Sequence, residues 1–104
     1  MSVSYRLTRD AQSDLIEIHR FTMVQWGTVQ SKKYLSGLRQ TMRLLAATPS
    51  MGKNRPEVQK SVFSFPYVSH VIYYIEHEQQ VVVFAVLHKN MLPLSHLIER
   101  ELIG

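Results

Sequence analysis

Ser61-Val-Phe-Ser-Phe-Pro-Tyr-Val-Ser-His-Val-Ile-Tyr-Tyr-Ile-Glu-His-Glu-Gln-Gln-Val-Val-Val-Phe-Ala-Val-Leu-His-Lys-Asn-Met91 is the stretch that decides the fold. β-branched and aromatic residues, interrupted by two short polar connections, make it three strands. Residues 71–75 and 81–87 are the clearest of these, with 76–80 as the turn between them. Residues 81–87 are apolar at every position, the pattern of a central strand covered on both faces. Pro66 has no N–H for a ladder, so the first strand is an edge, is bulged, or ends near Tyr67. Residues 61–87 hold no Lys or Arg, although the chain carries a formal net charge of +4. The charge therefore lies elsewhere, and a sheet that cut a phosphate backbone would need cations on it.

Upstream, residues 4–7 form a short opening strand with Tyr5 and Leu7 on one face. Thr8 is placed to cap a helix, with Asp10 and Asp14 near its positive end. Ala11, Leu15, Ile18, Thr22 and Trp26 recur at helical spacing as one inward stripe, widened by Phe21. Gly27 supplies a left-handed stop and Thr28 a second cap. Tyr34, Leu35, Leu38, Met42 and Leu45 give the next stripe, which ends before Pro49. Two helices joined across one or two residues make an antiparallel hairpin. Residues 49–56 read as a loop with Lys53 and Arg55 exposed. The tail after Pro93 reads as a short helix with Leu94, Leu97, Ile98 and Leu102 inward. The expected fold is α+β in the order βααβββα, with two long helices on a small, twisted, antiparallel-rich sheet.

At 104 residues the chain is expected to be one domain, 1–104, which buries roughly 60–70% of its unfolded surface. It has no cysteine, so neither a disulfide framework nor a thiolate metal site is available, in keeping with a reducing compartment. Residues 1–6 alternate without a long apolar run, and no window is long and apolar enough to span a membrane. The expectation is a soluble cytoplasmic protein. Residues 1–60 carry ten Lys/Arg against four Asp/Glu, while residues 61–104 carry two against four. Between Ile18 and Pro56 stand Arg20, Lys32, Lys33, Arg39, Arg43, Lys53 and Arg55, with no acidic residue among them. Such a stretch attracts an acidic partner.

Several motifs, in this order, resemble the ParE/RelE toxin superfamily of bacterial toxin–antitoxin modules, and its ParE branch in particular. They are Asp14-Leu-Ile-Glu-Ile18, Trp26-Gly27, Tyr34-Leu35, Pro49-Ser-Met-Gly52, the run from Phe65 to Tyr74, and Val86-Leu-His-Lys-Asn-Met91. The likeness covers the chain from Tyr5 to about Leu97. It implies a RelE/ParE-like fold and the toxin of a type II system, neutralised by a small acidic antitoxin whose C-terminal segment wraps it in a hetero-oligomer. RelE-like relatives cut messenger RNA on the ribosome, whereas ParE-like relatives inhibit DNA gyrase and block replication, so that they arrest growth and stabilise plasmids or chromosomes.

Residue chemistry favours the second branch. Cleavage through a 2′-hydroxyl needs a base, an acid and cations for the charged phosphorane. The groups on offer are His70, His77, His88, Tyr73 and Tyr74, with Lys60 and Lys89 at the edges. His88, at the end of the last strand, is the one reserve candidate for catalysis in an endoribonuclease. His88 and His96 are eight apart across Pro93 and form no helical metal pair. No phosphate loop or nucleophile elbow is present, so no metal, cofactor or enzyme activity is expected, nor direct sequence-specific nucleic-acid binding. For the target, gyrase, the expected contacts are His88, Lys89, Asn90 and Met91, followed by Lys53, Arg55 and Lys60. For the antitoxin they are the apolar Ile16, Met23, Val24 and Val29 with the basic Arg20, Lys32, Lys33, Arg39 and Arg43. An amphipathic acidic segment would lay its apolar face among these. Leu92-Pro93 stands where the family pattern has an acidic residue, which implies a different tail geometry. A non-toxic relative that only binds an antitoxin is the remaining alternative.

Overall fold

The computed structural model describes residues 4–104; Met1, Ser2 and Val3, the start of the alternating N-terminal pattern, lie outside them. Strand β1 (Tyr5–Leu7) leads through Thr8 into helix α1 (Arg9–Trp26), and helix α2 (Thr28–Ala47) follows after Gly27 alone. A 3-10 turn (Pro49–Met51) precedes β2 (Lys53–Asn54), β3 (Phe63–Tyr67), β4 (His70–His77) and β5 (Gln80–His88), and α3 (Pro93–Leu97) ends the regular structure. The sheet order is β1-β5-β4-β3-β2, with β1 parallel to β5 and every other pair antiparallel. The fold is the α+β arrangement that the pattern predicts, with one strand more: β2, inside the stretch read as a loop, pairs through Lys53 and Asn54 with Ser64 and Phe63.

The first helix starts as its cap requires. Thr8 Oγ1 accepts the Ala11 N–H at 3.2 Å, and Asp10 lies in the first turn, where a carboxylate favours the helix dipole. Ala11, Leu15, Ile18 and Thr22 are buried as expected. Phe21 and Trp26 are not, contrary to the predicted stripe. Trp26 is the last helical residue and rests on the Tyr34 ring, with centroids 5.7 Å apart. Thr22 turns its hydroxyl to Ser31 Oγ of α2 at 2.7 Å, a buried polar staple across the hairpin. Gly27 has φ 86° and ψ 176°, a region essentially open to glycine only and not the left-handed helical one expected. It occupies the cap position of α2 itself, so Thr28 is the first helical residue and caps nothing. Tyr34, Leu35, Leu38, Met42 and Leu45 are buried as a stripe.

Both faces of the sheet are filled. Helix residues pack on one face against Ile72, Tyr74, Val81, Val83 and Val86. On the other face Tyr73, Ile75, Val82, Phe84, Ala85 and Leu87 meet Val58 and Val62 from the β2–β3 connection and Leu97 and Leu102 from the tail. A bulge sorts these residues. Tyr73 pairs with Ala85 and Tyr74 with Val83, leaving Phe84 as the extra residue, so that Phe84 and Ala85 share the second face. Pro66 lies within β3, beyond the two residues that β2 covers, where a missing N–H breaks no ladder. The β4–β5 turn is only Glu78 and Gln79, both at positive φ (52° and 63°), as in a type I′ hairpin. No helix among the described residues is long and apolar enough to cross a membrane.

The tail departs from the predicted helix. A five-residue α3 offers one inward position, taken by Leu97, so Leu94 and Ile98 face solvent and Leu102 reaches the second core from beyond the helix.

Candidate functional site

An open groove of about 530 Å³ lies where the end of β5, helix α1 and the tail meet. Its apolar part comes from Ile18, Phe21, Val86, Leu87 and Met91, and its polar part from His70, His88, His96, Asp14, Glu17 and Arg100. Here the exposed Phe21 finds its place.

His70 and His88 face each other in register across β4 and β5, their rings edge to face at 5.4 Å. His70 is buried, at 7% exposure, with Nδ1 2.6 Å from Tyr34 Oη. We assign the hydroxyl as donor because Nδ1 lies much nearer than the other acceptor in reach, the Tyr67 carbonyl at 3.4 Å, while Tyr34 Oη accepts the Ser69 N–H at 3.2 Å. Burial first, and the neighbouring His88 second, push the His70 pKa down from 6.5 to about 4, against an opposing pull from Asp14. His70 is therefore a neutral structural imidazole that ties α2 to the β3–β4 hairpin. The tie is reciprocal, since Tyr67 Oη donates to the Tyr34 carbonyl at 3.1 Å. His88 is half-buried, and its Nδ1 accepts the Asn90 N–H at 3.1 Å, which closes the turn leading to the tail.

The charged pair in the groove is tightly engaged. Arg100 grips Asp14 with both terminal nitrogens, at 2.6 and 2.9 Å, and donates to the Phe84 carbonyl at 3.1 Å. Asp14 Oδ2 also accepts the Val86 N–H at 2.9 Å. Strand β5 runs on past the three-residue β1, and this pair takes up two of its backbone groups there. Hydrogen bonding to Asp14 raises the Arg100 pKa above its ordinary value, against a smaller effect of burial. Arg100 is the only Lys or Arg among the described lining residues, so the groove holds no uncommitted cation. Among the described residues no three His, Asp or Glu converge as a metal site.

The opposite sheet face corrects the reading of an uncharged sheet. Arg55, expected as an exposed contact, turns in and donates from Nε to Ser64 Oγ at 2.7 Å beside the buried Tyr73, with Glu57 as a second partner. The cation reaches the sheet from outside the 61–87 segment. Apolar side chains from the β2–β3 connection and the tail cover the rest of that face.

The remaining expected contacts divide by location. His88 and Met91 line the groove, while Lys89 and Asn90 are exposed on the turn beside it. Lys53 and Lys60 are exposed at the β2 end of the sheet, three strands from β5. A second groove, of about 550 Å³, brings Ile16, Lys32 and Arg39 together over Leu7, Leu15 and Leu35. Arg43 stands exposed one turn further along α2. Lys33 opens instead on a cleft with Trp26, Tyr34, Tyr67 and Val68. Arg20 is taken by Glu17, Met23 is half-buried, and Val24 and Val29 are exposed outside both grooves. Sequence reading missed Arg100 and the pairing role of Asp14, which stand 86 residues apart.

A family model described as the ParE toxin of type II toxin-antitoxin system, parDE, matches residues 5–93. Toxin ParE1 of Caulobacter vibrioides is 31% identical over 93 residues, spanning 89% of this chain and 96% of that protein. Toxin ParE of Escherichia coli is 29% identical over 98 residues, spanning 93% and 95%. Among solved structures, a chain of the chromosomal ParDE TA system from P. aeruginosa superposes with a TM-score of 0.72 at 17% identity, covering 83% of this chain and 95% of that one. The last likeness is one of fold.

Proposed function

The chain belongs to the ParE toxin family of type II toxin–antitoxin systems, and from that premise we propose that it acts in the cytoplasm by binding and inhibiting DNA gyrase, without catalysis of its own. The single-domain chain 1–104 is held inactive by a cognate acidic antitoxin. One observation carries the choice of binding over cleavage: the two guanidinium groups that reach the sheet faces are committed, and the lysines Lys53, Lys60 and Lys89 stand exposed at its margins. Arg55 is bound to Ser64 and Glu57, and Arg100 to Asp14 and Phe84. Phosphorane charge would find no free guanidinium at either place.

The groove and its apolar rim suit a protein partner. Phe21 and Met91 are exposed in it, and Leu92 and Leu94 are exposed beside it. His88, Lys89, Asn90 and Met91 then contact the target, while Lys53 and Lys60 belong to a separate basic edge. Antitoxin binding fits the other groove, where Ile16, Leu15 and Leu35 offer an apolar floor and Lys32, Arg39 and Arg43 a basic flank.

Two assays separate the branches. Purified protein is expected to block supercoiling by gyrase and to leave messenger RNA intact on translating ribosomes. Cleaved RNA with unaffected supercoiling would sink the gyrase reading and return His88 to consideration as a catalytic base. Normal growth of bacteria expressing the soluble protein alone would point instead to a non-toxic relative.

A further inference from the structure

Residues 91–98 form an apolar loop built around the single short helix α3. Leu92 is 74% exposed and Ile98 77% exposed, with Met91 and Leu94 nearly half open to solvent. Its helix α3 has five residues, too few to hold a conformation unaided. The geometry of the loop is therefore borrowed from its ends. At the entry, the Asn90 and Met91 N–H groups close onto His88, and the Lys89 N–H donates to the Ser69 carbonyl. At the exit stand the buried Leu97 and the grip of Arg100 on Asp14.

The grip differs from an ordinary surface ion pair, whose long side chains stay solvated and which adds little to stability. Both side chains are largely shielded, at 18% and 14% exposure. The carboxylate receives both guanidinium nitrogens and a backbone N–H of β5, and the guanidinium takes a β5 carbonyl as well. Helix α1, the last strand and the tail are thus joined at one carboxylate. Downstream, Leu102 reaches the second core, and the Ile103 and Gly104 carbonyls accept from the Arg6 side chain and the Arg9 N–H.

We propose that Asp14 and Arg100 are positioning residues: they fix the apolar loop 91–98 in the conformation that engages the target, an inference that rests on the target-binding reading above. The pair lines the groove wall with its polar atoms turned toward β5, where Asp14 takes the Val86 N–H and Arg100 the Phe84 carbonyl. It removes the need to order the loop on binding, which is how preorganisation raises affinity.

The test compares wild type with Arg100→Met, which removes the grip and leaves Asp14 on the Val86 N–H, and with Arg100→Lys, which keeps the charge but not the fork. Three readouts are taken: cooperative unfolding, the rate of proteolysis after Lys89, and the concentration that half-inhibits gyrase supercoiling. Arg100→Met is expected to unfold cooperatively, to be cut after Lys89 at least tenfold faster, and to need at least tenfold more protein for half-inhibition. Arg100→Lys is expected to fall between the two. A loosened loop with unchanged inhibition overturns the proposal, as does unchanged proteolysis. Loss of cooperative unfolding in both variants also overturns it, reducing the pair to a contact of the fold. If wild type fails to inhibit gyrase, the target reading fails, and proteolysis alone decides whether the pair fixes the loop.

Discussion

Gly37 lies inside α2, where glycine costs about 1 kcal/mol relative to alanine. Its backbone is ordinarily helical, so conformation does not demand it. Space does. A Cβ there would stand within contact distance of Tyr67 Oη and 3.0 Å from Cζ. Tyr67 cannot retreat freely, because its hydroxyl donates to the Tyr34 carbonyl and its ring packs edge-on against Tyr34 at 5.1 Å. Gly37→Ala would gain about 1 kcal/mol of helix propensity. Against this it would lose a hydrogen bond of about 1 kcal/mol and an aromatic contact of about 0.5–1.5 kcal/mol. Overpacking would add about 1–3 kcal/mol. The expected net effect is a destabilisation of about 3 kcal/mol, the middle of a range of about 1.5–4.5. In a Tyr67→Phe background the hydroxyl is gone, and the same substitution is expected to be close to neutral. Urea unfolding of the four proteins at neutral pH gives the coupling directly. The reasoning is refuted if Gly37→Ala stabilises the wild type, or costs the same with and without the Tyr67 hydroxyl.

Acid is expected to weaken the fold through His70. Its folded pKa of about 4 lies below the ordinary 6.5, so the unfolded chain takes the proton first. The contribution is complete above about pH 6.5 and is lost as pH falls toward 4, up to on the order of 3 kcal/mol. A His70→Gln variant measured over that range should show a shallower slope, and an equal slope would exclude this source. Val68, at the β3–β4 turn, has φ 49° and is exposed, a costly conformation for a β-branched side chain. Val68→Asn should stabilise by about 1 kcal/mol, seen as a higher melting temperature; a lower one would show that the valine side chain supports the free protein. Reversing Lys32 and Arg39 together to Glu should slow association with the acidic antitoxin roughly tenfold or more at low salt. Unchanged association kinetics would move the antitoxin away from the α1–α2 groove.

Much of the architecture is written locally in the chain. The Thr8 cap, the two buried stripes and the apolar run of β5 each depend on neighbours within a few turns or residues, so periodicity reveals them. β2 is different: Lys53 and Asn54 have no strand character and pair only because β3 passes beside them. Phe21 carries an inward signal by spacing yet faces a groove, because α1 meets the sheet along a narrower stripe. Counting charge along the sequence places cations by segment and misses those that arrive across space. Arg55 and Arg100 both do so. The resemblance singled out His88 and Met91, and both do line the groove. The pair that holds the loop beside them unites α1 with the far tail, and no local pattern encodes it.

The parallel pairing of β1 with β5 also has a meaning in time. Tyr5 waits for Val81, and Leu7 for Val83, so the first strand made is among the last to find its partner. During synthesis the helical hairpin, rich in local contacts, can form early, whereas the sheet stays open at one side until β5 has emerged. Asp14 waits longer still for Arg100. A chain stopped at residue 79 is expected to keep helical structure without a completed sheet, and to expose its apolar interior to proteases. A nascent toxin of this topology acquires its finished groove only after Arg100 has left the ribosome.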